Sequence, residues 1–290
     1  MKKIFYLFAS LFVAIIVFVA CSGDIEVSVE SVNISQTTAD LLAGDSLQLS
    51  AYVLPRNADN QAIRWRSENP NIATVDRYTG MVHTISGGTV IIVATSAYTW
   101  RAAARCTITV DFNISSDLAG IIVNDLRWAT RNLAAPGMFA DSPTDLGMLY
   151  QWNRPIGWES TGDNVSGWDN TVPMGTTWTA ENDPCPDGWR VPTIEELQSL
   201  YEASVTWTEF NDVPGRIFGK APNQIFLPAV GYRLHSDGSL GNSGTAGHYW
   251  SSTEQMTPNA WSFYFNEDRL REKKTVRRQN GFSVRCVSAQ

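Results

Sequence analysis

The stretch Cys185-Pro186-Asp187-Gly188-Trp189-Arg190-Val191-Pro192-Thr193-Ile194-Glu195-Glu196-Leu197 decides how the C-terminal half is read. Thr193 and Glu196 stand three apart, just ahead of an apolar run. That spacing predicts a capping box, in which the threonine hydroxyl and the glutamate carboxylate each satisfy an orphan amide of the other. Ile194, Leu197, Leu200 and Tyr201 then recur on one face. They predict a helix from Ile194 to about Ala203, packed on a sheet. Downstream, Ile217, Ile225, Phe226 and Leu227 read as buried strand positions. Ala260-Trp261-Ser262-Phe263-Tyr264-Phe265 alternates, with Trp261, Phe263 and Phe265 on one face and Ser262 and Tyr264 on the other. Phe282, Val284 and Cys286 point one way in a last strand. One helix among strands and long loops describes a mixed α+β domain.

Upstream, the pattern is different. From about residue 26 to residue 111 the chain reads as about seven short strands with turn signals between them. Ser46 to Leu54 and Ala62 to Ser67 alternate. Thr89 to Thr95 is a continuous apolar run, as a strand covered on both faces would be. Such a pattern argues for an all-β sandwich. Nine of the eleven tryptophans lie from Trp128 to Trp261, which supports a boundary at residues 112–118 and a second domain over 119–290. The segment from Gly157 to Asp183 is too long for a bare connection and reads as a packed functional loop.

The N-terminus predicts export. Lys2 and Lys3 precede an apolar run from Ile4 to Ala20, which suits a secretory signal over residues 1–20. The run ends in Phe18-Val19-Ala20-Cys21, which resembles a bacterial lipobox. That resemblance implies lipidation of Cys21, with residues 21–25 as a tether. An ordinary signal cleaved after Ala20, leaving a free Cys21 thiol, is the alternative. Ser22 after the cysteine favours the outer membrane, with a membrane partner through the lipid anchor only. The net charge of −7 argues against nucleic acid as a partner.

The C-terminal motifs carry a resemblance. They are Cys185 to Thr193, Leu227-Pro228-Ala229-Val230-Gly231-Tyr232-Arg233, Gly247-His248-Tyr249-Trp250-Ser251-Ser252-Thr253 and Gly281-Phe282-Ser283-Val284-Arg285-Cys286-Val287. In this order they resemble the Fibrobacter succinogenes major paralogous domain, a branch of the C-type lectin-like fold. The resemblance implies a noncatalytic ligand-binding head. Cys185 and Cys286 sit in its bracketing motifs, and bridging them would close a loop of about 100 residues. Cys106 is left over and reads as a buried unpaired thiol.

The first domain resembles the bacterial immunoglobulin-like group 2 domain. The matching residues are Leu49, Val53, Pro55, Ala58, Ile63-Arg64-Trp65, Ser67, Asn69-Pro70, Ala73-Thr74-Val75-Asp76, Gly80-Met81-Val82, Gly87-Gly88 and Cys106 to Val110. Trp65 would be its core anchor. The resemblance implies a spacer or adhesive module. Gly44-Asp45-Ser46-Leu47 spells an esterase box, but it leads into an alternating strand, and the one later histidine of this domain, His83, lies on a different strand. The expectation is no enzyme.

Candidate ligand residues follow from exposure and chemistry. Trp158, Trp168 and Trp178 lie in the long loop without strand periodicity. Their rings either stack on sugars or fold inward as the loop's own core. The region from Leu227 to Val287 also resembles the C-terminal part of retroelement-diversified surface proteins. That resemblance places His235, Ser236, Asp237, Asn242, His248, Asn259, Ser262, Tyr264 and Asn266 on a ligand face. The basic run with Arg269 and Arg271 reads as a solvated hairpin or as a contact for an anionic ligand. Thr257-Pro258-Asn259 lacks the acid of a calcium-dependent sugar loop, so no metal or cofactor is expected at such a site, while another calcium site in the acidic loops stays open. The expected function is adhesion or capture of an extracellular glycan or protein. The rival is a structural or fimbria-associated subunit bound to surface-appendage partners, and a distant third is an enzyme similar to the formylglycine-generating group.

Overall fold

The computed structural model describes residues 26–289. The signal sequence, the lipobox and Cys21 lie outside them. The N-terminal unit is a sandwich of nine short strands: β1 (Ser31–Ile34), β2 (Thr38–Leu42), β3 (Ser46–Gln48), β4 (Ala51–Leu54), β5 (Ile63–Ser67), β6 (Ala73–Val75), β7 (Met81–Thr84), β8 (Gly88–Ser96) and β9 (Ala103–Asp111). One sheet runs β2-β9-β8-β5, with β2 parallel to β9. Against it stand β3-β7-β6 and the pair β1-β4. The stretch from Ser46 to Leu54, which alternates as if it were one strand, is split in two. It changes partner at Leu49-Ser50, because β3 pairs with β7 whereas β4 pairs with β1.

Trp65 anchors this core, as its place on an inward face requires. It is buried with Leu49, Val53, Val82, Ile92 and Ile108. Gly80 takes a positive φ of 76° where the chain passes the Trp65 ring, and a Cβ there would meet the ring at 2.6 Å. Cys106 is a free, buried thiol in the same core, and burial raises its pKa.

The C-terminal unit is mostly strands with one α-helix. Helix α1 (Ile194–Glu202) has the capping box: Glu196 N donates to Thr193 Oγ1 at 3.3 Å, and Thr193 N donates to Glu196 Oε2 at 2.8 Å. Arg190 grips the same carboxylate with both terminal nitrogens. Burial alone would raise the pKa of Glu196. The Arg190 and Thr193 hydrogen bonds outweigh it and hold the group below its ordinary value. Ile194, Leu197 and Leu200 are buried, but Tyr201 is exposed. It shares the expected face yet sits one residue from the end of the helix, where its ring lies beside Asp268–Arg271 at the surface.

A four-stranded sheet of short strands joins Ile121–Val123, Leu126–Trp128, Val287–Ser288 and Trp189–Arg190, and two three-stranded sheets stand beside it. One joins Ser204–Phe210, Val213–Lys220 and Asn223–Pro228; the other joins Ala246–Glu254, Asn259–Asn266 and Leu270–Arg277. Ile217, Ile225, Phe226, Leu227, Phe263 and Phe265 are all fully buried, and Trp261 packs on the same core. A second core gathers Trp152, Trp178, Trp250, Phe282, Val284 and Cys286. Cys185 and Cys286 are disulfide-bonded across 101 residues of sequence, with Cα atoms 6.1 Å apart. The segment from Gly281 to Val284 is not a regular strand. It makes isolated bridges to Tyr150, Arg233 and Tyr249.

Three arginines are fully buried, and the partners of Arg233 and Arg278 explain why the long loop holds its shape. Arg233 donates to the carbonyls of Glu159, Thr161, Asp163 and Gly238 at 2.6–3.1 Å. Arg278 donates to those of Pro173, Gly175, Gln255 and Asn259 and lies 4.2 Å over the Trp152 ring. Arg285 donates to Asn132 Oδ1 and to the carbonyls of Ala129 and Phe226. Burial lowers its pKa to about 10, which still leaves it charged at neutral pH. A buried guanidinium is tolerated when its donors meet acceptors, and here each one ties irregular backbone to the sheets.

Candidate functional site

The expected ligand residues do not form one surface. His235, Asn242 and His248 line a recess of about 330 Å³, together with Tyr232, Lys274 and Asn280. His248 lies on the strand Ala246–Glu254, opposite Tyr264 on the neighbouring strand. Its ring is enclosed by Tyr232, Tyr264 and Phe282, with centroids 4.8–5.0 Å away. The side chain is only 3% exposed, and neither ring nitrogen has a hydrogen-bond partner. Burial, and then the charge of Lys274, lowers its pKa to about 3. At neutral pH His248 is therefore an uncharged ring whose donor and acceptor are both unmet.

Lys274 supplies the recess with a positive charge. Its ammonium stands 4.3 Å over the Tyr264 ring, and burial followed by the charge of Arg271 lowers its pKa. Asn280 Oδ1 accepts from the amide of His235 at 3.0 Å and so fixes the neighbouring loop. Asn242 sits at the turn with a φ of 56°. No carboxylate is among the residues lining the recess. The arrangement offers aromatic faces, amides and nearby cations beside a buried neutral imidazole, which suits reversible binding of a polar ligand with apolar faces.

The other expected residues stand elsewhere. Trp178 is a correction to its reading as a presented ring: it is buried against Trp152, and its indole donates to the Asn182 carbonyl at 2.8 Å. Trp168 and Trp158 pack on each other at 4.9 Å, and the Trp168 indole donates to the His235 carbonyl. These rings form the loop's own small core, because a loop of this length buries apolar area within itself. Asp237 is exposed and caps its own turn through Ser239 N. Asn259 pairs with Arg277 in the sheet and gives its carbonyl to Arg278. Arg269 and Arg271 line a separate recess beside Tyr201. The basic run is thus divided: Arg278 is buried structure, Lys274 and Arg277 reach the His248 recess, and Arg269 and Arg271 face away from it.

Lys274 and Tyr232 also line the recess, although the sequence marked Lys274 only as part of the basic run and Tyr232 only as part of a motif. Alternation along Leu270–Arg277 could have found Lys274, since it and Val276 are the half-buried positions of that strand's second half. The esterase-box serine and His83 lie on different strands, as expected, and those strands are paired. Ser46 and His83 are cross-strand neighbours, and Ser46 Oγ lies 2.8 Å from His83 Nδ1. The pair is exposed on a β-ladder, with no carboxylate hydrogen-bonded to the histidine among the described residues, so it lacks the orienting third group of a catalytic triad. Among the described residues no cluster of three metal-ligating side chains occurs, and no helix is long and apolar enough to cross a membrane.

Comparison with known proteins places the chain. It belongs to the family of the Lcl C-terminal domain, whose sequence profile matches residues 124–288, more than half of its length. A bacterial Ig-like domain (group 2) matches residues 28–107. An Ig-like virion protein of Serratia phage KSP90 is 37% identical over 71 residues, which is 24% of this chain and 28% of that protein. A 3-O-alpha-D-galactosyl-alpha-L-arabinofuranosidase of Bifidobacterium longum subsp. longum is 35% identical over 72 residues, which is 25% of this chain and 6% of that enzyme, within the Ig-like region. The chain therefore spans less than a third of either relative. Among solved structures, domains 4 and 5 of the S-layer protein SbsC give a TM-score of 0.24 at 13% identity, covering 28% of this chain and 51% of that one. A C-terminal fragment of intimin in complex with the Tir intimin-binding domain gives 0.21 at 26%, covering 28% and 29%. These scores carry no argument about function.

Proposed function

We propose that this protein is a bacterial surface-displayed binding protein: an outer-membrane lipoprotein whose Ig-like domain spaces a lectin-like head, and whose head captures a glycan without catalysis. The observation that carries this reading is the His248 recess. A buried imidazole with both nitrogens unmet is costly unless a partner arrives, since an unsatisfied buried polar group costs about 1–3 kcal/mol. Here it lies beneath a recess walled by Tyr232 and Phe282, with Asn242, Asn280 and Lys274 at the wall. Sugars present hydroxyls to amides and C–H faces to aromatic rings, so they fit this lining better than a wholly apolar ligand would. The likeness of the Ig-like domain to one in a virion protein supports a display role.

The test is a glycan array probed with the full chain and three variants. Lys274→Met and Asn242→Ala should weaken binding to the retained glycans at least tenfold. Arg269→Ala, in the other recess, should leave it within twofold. No glycan retained, or equal retention by all variants, would sink the reading.

A further inference from the structure

The Ig-like domain carries a second site. We infer that the outer face of its β5-β8-β9 sheet binds an acidic polysaccharide. A trough of about 890 Å³ lies on this face, and half of the residues lining it are arginine: Arg64, Arg66, Arg77, Arg101 and Arg105. The whole chain is acidic, with 29 Asp and Glu against 22 Lys and Arg, so this concentration runs against its overall balance.

Strand register builds the face. Arg66 on β5, Val93 on β8 and Arg105 on β9 form one cross-strand row, with Arg64, Thr95 and Ala103 in the next. Two strand spacings set Arg66 and Arg105 about 10 Å apart at the backbone. Val93 points to this outer face and is still only 2% exposed. The aliphatic stems of Arg66 and Arg105 cover it while their charged heads stay in water. That packing explains two of the arginines but gives no role to Arg64, Arg77 and Arg101.

Carboxylates do not balance the cluster. Glu68 bridges Arg66 at 3.2 Å and Arg105 at 3.8 Å. Among the described residues, Arg64, Arg77 and Arg101 make no ion pair. Two aromatic rings accompany them. Trp100 is 80% exposed, with the Arg101 guanidinium 5.4 Å from its ring, and Tyr78 is 67% exposed, with that of Arg64 at 4.7 Å. Guanidinium groups pair with carboxylate or sulfate in a fork, and exposed aromatic rings stack on sugar faces. The trough is concave, which suits a chain laid along the sheet better than a flat bilayer. The inference is independent of the His248 recess.

The experiment measures binding of the full chain, in mild detergent, to polygalacturonate, dextran sulfate and neutral dextran. The expected result is binding to either acidic polymer that weakens steeply with salt, and none to neutral dextran. Arg66→Ser with Arg105→Ser should lower affinity at least tenfold. Arg101→Ala, on the β8–β9 connection and away from the covered Val93, should lower it severalfold and serves if the double variant fails to fold. Lys274→Met should leave this binding unchanged. Equal binding by wild type and Arg101→Ala, or loss through Lys274→Met alone, would overturn the inference. So would retention on anionic phospholipid vesicles or duplex DNA with none on the acidic polysaccharides.

Discussion

Acid should weaken the head through one side chain, His248. In the folded protein its pKa lies near about 3, because burial and then the Lys274 charge disfavour the imidazolium. In the unfolded chain it returns to an ordinary value of about 6.5. A depressed folded pKa gives stability that is present above the unfolded value and is lost as pH falls toward the folded value. The window therefore opens near pH 6.5 and runs down to about pH 3. Going from pH 7 to pH 5, the unfolded state goes from about a quarter to almost fully protonated at this histidine, while the folded state stays neutral. Each pKa unit corresponds to about 1.36 kcal/mol, so this step costs about 2 kcal/mol. Tyr232, Tyr264 and Phe282 enclose the ring, and Lys274 and Arg277 line the same recess; no acid stands there to rescue the charged form. The assay is urea unfolding at pH 7 and pH 5 for wild type and His248→Gln, following the head transition. Carboxylates contribute alike to both proteins, so the difference of differences isolates the histidine. Wild type should lose about 2 kcal/mol more than the variant. Equal losses would refute the reasoning.

Other outcomes follow from the same structure. Arg233→Met leaves the Glu159, Thr161, Asp163 and Gly238 carbonyls without their donor and should destabilise the head, at about 1–3 kcal/mol for each carbonyl that stays buried and unmet, read by denaturant unfolding. A loss under 1 kcal/mol would show that the loop holds itself. Replacing Cys185 and Cys286 together by alanine should cost up to about 4–5 kcal/mol on the chain-entropy account, given the 101-residue separation. An unchanged unfolding midpoint would contradict it. Cys21→Ala should move the protein from the membrane to the soluble fraction; continued membrane association would remove the proposed lipid anchor.

Local signals were the legible ones. The capping box at Thr193 and Glu196 depends on residues three apart, and it formed as the spacing required. Trp65 could be placed in the core because strand alternation fixes its face. Both burial sets after the helix, around Phe226 and around Phe263, were legible for the same reason. The buried arginines were not. Arg278 looked like one more charge in a basic run, and among the acceptors that draw it inside are the carbonyls of Pro173 and Gly175, more than 100 residues earlier. Trp158 and Trp168 face a similar problem, since their partners are each other and the His235 turn rather than any periodic neighbour. The recess itself is assembled from three strands, the turns at His235 and Asn242, and the segment at Asn280 and Phe282. No single window of sequence contains it.

The central claim is that a ligand seats over His248. The chain has three histidines, and they report separately on the two domains. Histidine-selective ¹⁵N NMR, with titration of a glycan retained on the array, should shift the ring signals of His248 and His235 and leave His83 of the Ig-like domain in place. Saturated binding that leaves the His248 signals unmoved would contradict the account.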